Sequence, residues 1–136
     1  MKKFTAILSV FGLFFAFNVG NASAAWQEIG QNEQSTISVD TATLKTQGDK
    51  AQIMSLLDFK TPGEDPQTKE KVSSIIGLNE YDCTTGKYRP IEFKVFTGNR
   101  GKGKVVVDQK TPDSIFDAIP NGSWAAGVFN VACRSR

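Results

Sequence analysis

Cys83 and Cys133 are the only two cysteines in the 136-residue chain, and whether they join decides how the second half can fold. The N-terminus sets their redox surroundings. Lys2 and Lys3 precede a run from Phe4 to Val19 that is broken only by Thr5, Ser9, Gly12 and Asn18, and Ala22-Ser23-Ala24 follows. A positive start, an apolar core and an A-x-A box mark a secretory signal, with cleavage expected before Ala25. The unbroken apolar core, about a dozen residues, is short of the roughly 20 that a membrane-spanning helix needs. No transmembrane segment is expected after cleavage. No cysteine stands at the cleavage point, so a lipoprotein is not expected either. Beyond the membrane a lone cysteine pair in a small domain is expected to close a disulfide. There is no C-x-x-C pair, and no histidine to activate a thiol.

Without residues 1–24 the chain keeps 112 residues, the size of one domain, 25–136. Both charges removed are lysines, so the 16 basic residues become 14 against 14 acidic ones. The basic pI of the whole chain therefore gives no ground for nucleic-acid binding. The absence of histidine excludes a histidine triad and a histidine-bearing zinc site. No metal, cofactor or catalytic residue is expected.

The pattern is mostly that of strands. Trp26–Gly30 and Ser35–Asp40 read as the first two, and in the second Ile37 and Val39 face one way while Thr36, Ser38 and Asp40 face the other. Gln52–Phe59 is the third. Lys60–Glu70, with Pro62, Gly63 and Pro66, reads as an exposed loop. Lys71–Cys83 and Tyr88–Thr97 follow as strands around the turn Thr84–Lys87, and a glycine-rich turn Gly98–Gly103 leads into Lys104–Gln109. Short turns make antiparallel hairpins the simplest topology.

The last third changes character. Thr111–Ser114 is a break that opens a short helical turn through Ala118, and Pro120–Ser123 breaks the chain again. Ser123 can cap a helix Trp124–Cys133, with Trp124, Val128 and Val131 at helical spacing and Ala125, Phe129 and Ala132 on the adjoining stripe. Such a broad apolar face needs a sheet to cover. The expected fold is α+β: an antiparallel meander of about six strands, with a C-terminal helix bolted to it through Cys83 and Cys133.

The order of landmarks along the chain resembles the surface-adhesin protein E family. Those landmarks are Trp26, Val39-Asp40, Leu57-Asp58-Phe59, Ser73-Ser74, and Glu80-Tyr81-Asp82-Cys83 with Tyr88-Arg89 behind it. Ile119-Pro120-Asn121-Gly122-Ser123, running on to Cys133, completes the set. The resemblance implies an antiparallel sheet with a C-terminal helix and paired cysteines. It also implies binding rather than catalysis, the named member being an adhesin for host extracellular-matrix proteins. That member is held at the surface by a lipid, for which this chain has no cysteine at its expected cleavage site.

Gly98-Asn99-Arg100-Gly101-Lys102-Gly103-Lys104 nearly spells a phosphate loop. Val105 stands where Ser or Thr must bind magnesium, and a valine run favours a strand over the required helix. Lys94, Arg100, Lys102 and Lys104 make the same segment the candidate contact site. A projecting tip bearing cations suits an anionic glycan or an acidic protein patch, against the alternative of a merely solvated turn. Glu64, Asp65, Glu80 and Asp82 are read as solvated acids rather than a glycosidase pair. Asn121-Gly122-Ser123 spells a glycosylation sequon but is explained as a helix entry, and Trp26 and Trp124 are read as core. Two function classes remain: an exported binding domain for an extracellular-matrix or envelope protein or a glycan, and a periplasmic inhibitor or envelope-stress protein acting on a cell-wall hydrolase. An exposed edge strand leaves dimerisation open.

Overall fold

The computed structural model describes residues 25–134; the signal read at residues 1–24 lies outside them. Strands β1 (Gln27–Gln31), β2 (Ser35–Gln47), β3 (Lys50–Glu64), β4 (Lys71–Asp82), β5 (Lys87–Phe96) and β6 (Val105–Lys110) form one antiparallel meander in chain order. A two-residue strand β7 (Asp117–Ala118) pairs with Lys87 and Tyr88 of β5, and helix α1 (Trp124–Arg134) follows. The α+β meander with its C-terminal helix is as expected.

Register and pleat decide which residues meet the helix. Ile37 and Val39 of β2 lie beside Leu57 and Ser55 of β3, and Ala51 and Ile53 lie beside Tyr81 and Asn79 of β4. These residues share one face, as period-2 alternation requires. Ala125, Val128 and Ala132 of α1 pack onto that face and are fully buried with Val39, Ile53 and Tyr81. Trp124, Phe129 and Val131 flank this stripe and are half-buried. Ser123 caps the helix, its Oγ accepting the Ala126 N–H at 3.3 Å while donating to the Pro120 carbonyl at 2.7 Å. The Cys83–Cys133 disulfide ties the last turn of α1 to the end of β4.

Three expectations need correction. Strand β2 does not stop at Asp40. The stretch Thr41–Leu44 is a bulge closed by local bonds, Ala42 N–H to Asp40 Oδ1, Thr43 hydroxyl to the Asp40 carbonyl, and Met54 N–H to Thr43 Oγ1. Strand β3 likewise runs through the supposed loop at Lys60, and Gly63 and Glu64 pair with Val72 and Lys71. Pro62 falls between the paired stretches, where its missing N–H costs no ladder bond. Thr111–Ala118 forms no helical turn. It runs beside β5, with Thr111 N–H on the Ile91 carbonyl and the Thr111 and Ser114 hydroxyls on the Pro90 carbonyl.

Tyr81 is wholly buried, stacked on Tyr88 with ring centroids 6.1 Å apart and set edge-on to Phe129 at 6.3 Å. Its hydroxyl is buried without a hydrogen-bond partner. Burial pushes its pKa well above the ordinary tyrosine range, because the phenolate would have to be desolvated. Removing an unsatisfied hydroxyl relieves a cost, so Tyr81→Phe is expected to stabilise the domain by about 1 kcal/mol in urea unfolding. The folded value lies above the unfolded one. The stability that Tyr81 contributes by staying neutral is therefore complete below roughly pH 10 and is lost as pH rises further. Alkaline unfolding of the Tyr81→Phe protein should accordingly begin at higher pH than that of the wild type.

Candidate functional site

The four candidate cations are not brought together on a projecting tip. The β5–β6 connection is closed by Thr97 N–H to the Lys104 carbonyl at 2.9 Å and Gly98 N–H to the Lys102 carbonyl at 2.9 Å. Asn99–Gly101 then turns back over the sheet as one short 3-10 turn. Arg100 sits at φ 58°, in the left-handed region, and Gly101 and Gly103 follow it there. Gly101 is required on a second count: a Cβ there would lie 2.5 Å from Ile76 Cδ1.

Side chains of β3 and β4 hold the turn down. Asp58 Oδ1 accepts from Asn99 Nδ2 at 3.0 Å and from the Arg100 N–H at 2.7 Å. Asn99 Nδ2 also donates to the Phe59 carbonyl at 3.0 Å. Ser74, fully buried, accepts from Gly101 N–H at 2.9 Å and donates to the Gly98 carbonyl at 2.7 Å. Asp58 and Ser74 are register partners on the face opposite α1, so the folded-back turn covers that face.

This geometry divides the cations. Lys104 forms an ion pair with Glu70, and Lys94 stands opposite Asp108 on the neighbouring strand. Lys110 lies 3.3 Å from Glu92 in the next cross-strand pair. Of the four, Lys104 alone is ion-paired; Lys94, Arg100 and Lys102 are exposed, and Arg100 and Lys102 are the two carried by the folded-back turn. The result is a rim of mixed sign, not a single-sign field. It borders a cavity of about 250 Å³ floored by Met54, Ile76 and Phe96.

The acids are not merely solvated either. Glu80 Oε1 meets the Arg89 fork, 2.9 Å from Nε and 2.8 Å from Nη2. Arg89 Nη1 donates onward to the carbonyls of Pro112 at 2.7 Å and Ser114 at 3.2 Å, and its guanidinium lies 5.2 Å from the Phe116 ring centroid. Asp82 accepts the N–H groups of Thr84 and Thr85 at 3.0 and 3.1 Å and holds the β4–β5 turn. The Thr85 N–H heads the causes that lower its pKa, with the Thr84 N–H and Lys50 adding to the effect. Bound in this way, Glu80 and Asp82 brace the sheet.

A second cavity, of about 230 Å³, opens on the helix face beside α1. Its walls are Leu57, Ile75, Phe93, Pro90, Tyr88 and Trp124, and Ser55, Gly77 and Asn79 lie along the adjoining β3 and β4. The helix reaches across β1 to β4 but stops short of this corner. Sequence reading had not singled it out, although a signal was present. Ser55 interrupts Ile53-x-Ser55-x-Leu57, and Gly77 and Asn79 interrupt the same alternation between Ile75 and Tyr81.

The fold and these two faces define a class: a single antiparallel sheet with one disulfide-tethered helix. Residues 26–134 match the family model for surface-adhesin protein E. The chain belongs to the surface-adhesin protein E family. Solved structures of Haemophilus influenzae protein E share the fold. One matches over 85% of this chain and 88% of that one, with a TM-score of 0.59 and 8% identity. A second crystal form matches over 85% and 91%, with a TM-score of 0.61 and again 8% identity. No curated protein matches the chain. Among the described residues no helix is long and apolar enough to cross a membrane.

Proposed function

We propose that this chain is an exported binding domain, residues 25–136, released from a signal at 1–24 and recognising a protein or glycan surface without catalysing a reaction. The family match over residues 26–134 carries this reading. The local chemistry supports it: Glu80 and Asp82, the acids nearest to a catalytic arrangement, are engaged with Arg89 and with turn amides. Lys94, Arg100, Lys102 and Lys104 are the proposed contact cations. Arg100 and Lys102 are the pair most available to a partner, held in place by the folded-back turn.

The test is capture from extracellular-matrix proteins and from bacterial envelope extract, using wild type and the Arg100/Lys102/Lys104→Ala variant. Retention of a matrix protein or glycan by wild type, with a loss of tenfold or more in the variant, is expected. Capture of nothing overturns the binding reading. Capture of a cell-wall hydrolase alone moves the assignment to a periplasmic inhibitor, and equal capture by both proteins removes the cations from the site.

A further inference from the structure

We infer that the helix-face groove between α1 and strands β3 to β5 is a pocket for one tyrosine side chain presented by a protein partner. This rests on the reading of the chain as a binding domain and adds a site to it, on the face opposite the cations. Ser55 is 3% exposed and Asn79 6% exposed, but their polar atoms are not sealed off as the Ser73 and Tyr81 hydroxyls are, and both residues line the groove. A polar atom that keeps contact with solvent is served by water, and a ligand that displaces this water must offer an equivalent hydrogen bond. An occupant of the groove therefore has to match Ser55 and Asn79.

The remaining features narrow that ligand. Among the described residues no charged side chain lines the groove, which favours an uncharged occupant. The walls are apolar and aromatic: Tyr88 and Trp124 meet edge to face at 5.8 Å, and Phe93 and Pro90 extend the surface along β5. A volume of about 230 Å³ falls below the roughly 300–1,000 Å³ of pockets that enclose a drug-sized molecule. It suits a single anchoring side chain of a larger partner, as in the central pockets of protein interfaces.

The floor offers both kinds of hydrogen-bonding group, a carboxamide on Asn79 and a hydroxyl on Ser55. A phenol can donate and accept at once, whereas an indole only donates. An aromatic body with such a tip is a tyrosine. Gly77 keeps the groove open between the two: an added Cβ would lie 3.1 Å from both the Glu92 carbonyl oxygen and Phe93 Cβ.

The experiment uses side-chain analogues, so that it does not depend on knowing the partner. Isotope-labelled protein is titrated with p-cresol and with toluene, and backbone amide and indole shifts are followed. p-Cresol is expected to move Ser55, Gly77, Asn79 and the Trp124 indole, and to bind about fivefold or more tighter than toluene, the difference one satisfied hydrogen bond makes. Ser55→Ala and Asn79→Ala should bring that ratio toward one while leaving shifts outside the groove unchanged. Equal binding of the two probes by wild type, shifts confined to another surface, or no shift at all overturns the proposal, whether or not the variants fold. If a partner is captured but p-cresol is not bound, the groove fails and the binding reading stands. If p-cresol binds and no partner is ever captured, the reverse holds.

Discussion

Replacing Cys83 and Cys133 together by alanine is expected to lower the stability of the domain by about 4 kcal/mol, a large share of the roughly 5–15 kcal/mol typical of a single domain. The bridge joins positions 50 residues apart, and in the chain-entropy account a loop of that length restricts the unfolded chain strongly. Packing alone gives α1 modest support. The residues it buries fully are Ala125, Val128 and Ala132, two of them alanines, and a buried alanine removes little apolar surface from water. The double variant avoids the free thiol that a single substitution would leave. In urea the midpoint should fall and the m-value should rise, because the unbridged chain exposes more surface on unfolding. An unchanged midpoint would mean that Trp124 and Phe129, set among Tyr88 and Tyr81, hold the helix without the bridge.

That dependence is legible in the sequence. A lone cysteine pair, read together with the export signal expected from the sequence, points to the bridge, and period-2 alternation at Ile37-Val39 and Ile91-Phe93-Val95 points to strands. What escaped notice was structure maintained by side chain to backbone bonds. The alternation Thr41-Ala42-Thr43-Leu44 carries on past Asp40, but it does not show the bulge there, whose geometry is held by Asp40 and Thr43. The strand beyond Lys60 was hidden by Pro62 and Gly63, which read as breakers unless the opposite strand is known. Thr111–Ala118 has the sequence of a short helical turn, but the Thr111 and Ser114 hydroxyls donate instead to the carbonyl of Pro90.

The landmarks that carried the family resemblance gain a physical meaning from the structure. Asp58 and Ser74 hold the 99–101 turn, Glu80 and Arg89 pin the 112–114 segment, Tyr81 and Tyr88 stack, and Asp82 closes a turn. They are residues that fix the scaffold. The candidate sites behave differently. The cations were visible as a cluster in sequence, but pairing across strands divides that cluster, and strand neighbours cannot be read from one segment. The groove requires three strands in register and a helix that ends short, a coincidence no local pattern records.

Breaking the turn's anchor is the second large effect, and it separates placement from charge. Asp58→Ala removes the acceptor of two hydrogen bonds, from Asn99 Nδ2 and Arg100 N–H. Bonds to a charged acceptor are worth about 1.5–3 kcal/mol each, and this partly exposed pair should cost about 2 kcal/mol in all. The loss should be local. Arg100 already occupies the left-handed region, which a residue with a side chain enters at some cost, and without Asp58 little opposes its return to ordinary backbone. Hydrogen exchange should therefore quicken at Arg100 and Gly101, while amides of β2 and β3 around Val39 and Ile53 keep most of their protection. Asp58→Asn, which retains one acceptor oxygen, should give a smaller change in the same amides. Capture of a partner through Arg100 and Lys102 should weaken in Asp58→Ala although every cation is still present, because the two charges lose their fixed position. Unchanged exchange at Arg100 would show that Ser74 and the glycines at 101 and 103 hold the turn by themselves. In that case the cations act through net charge alone, and the order of capture among the variants would follow the number of lysines and arginines rather than the state of the turn.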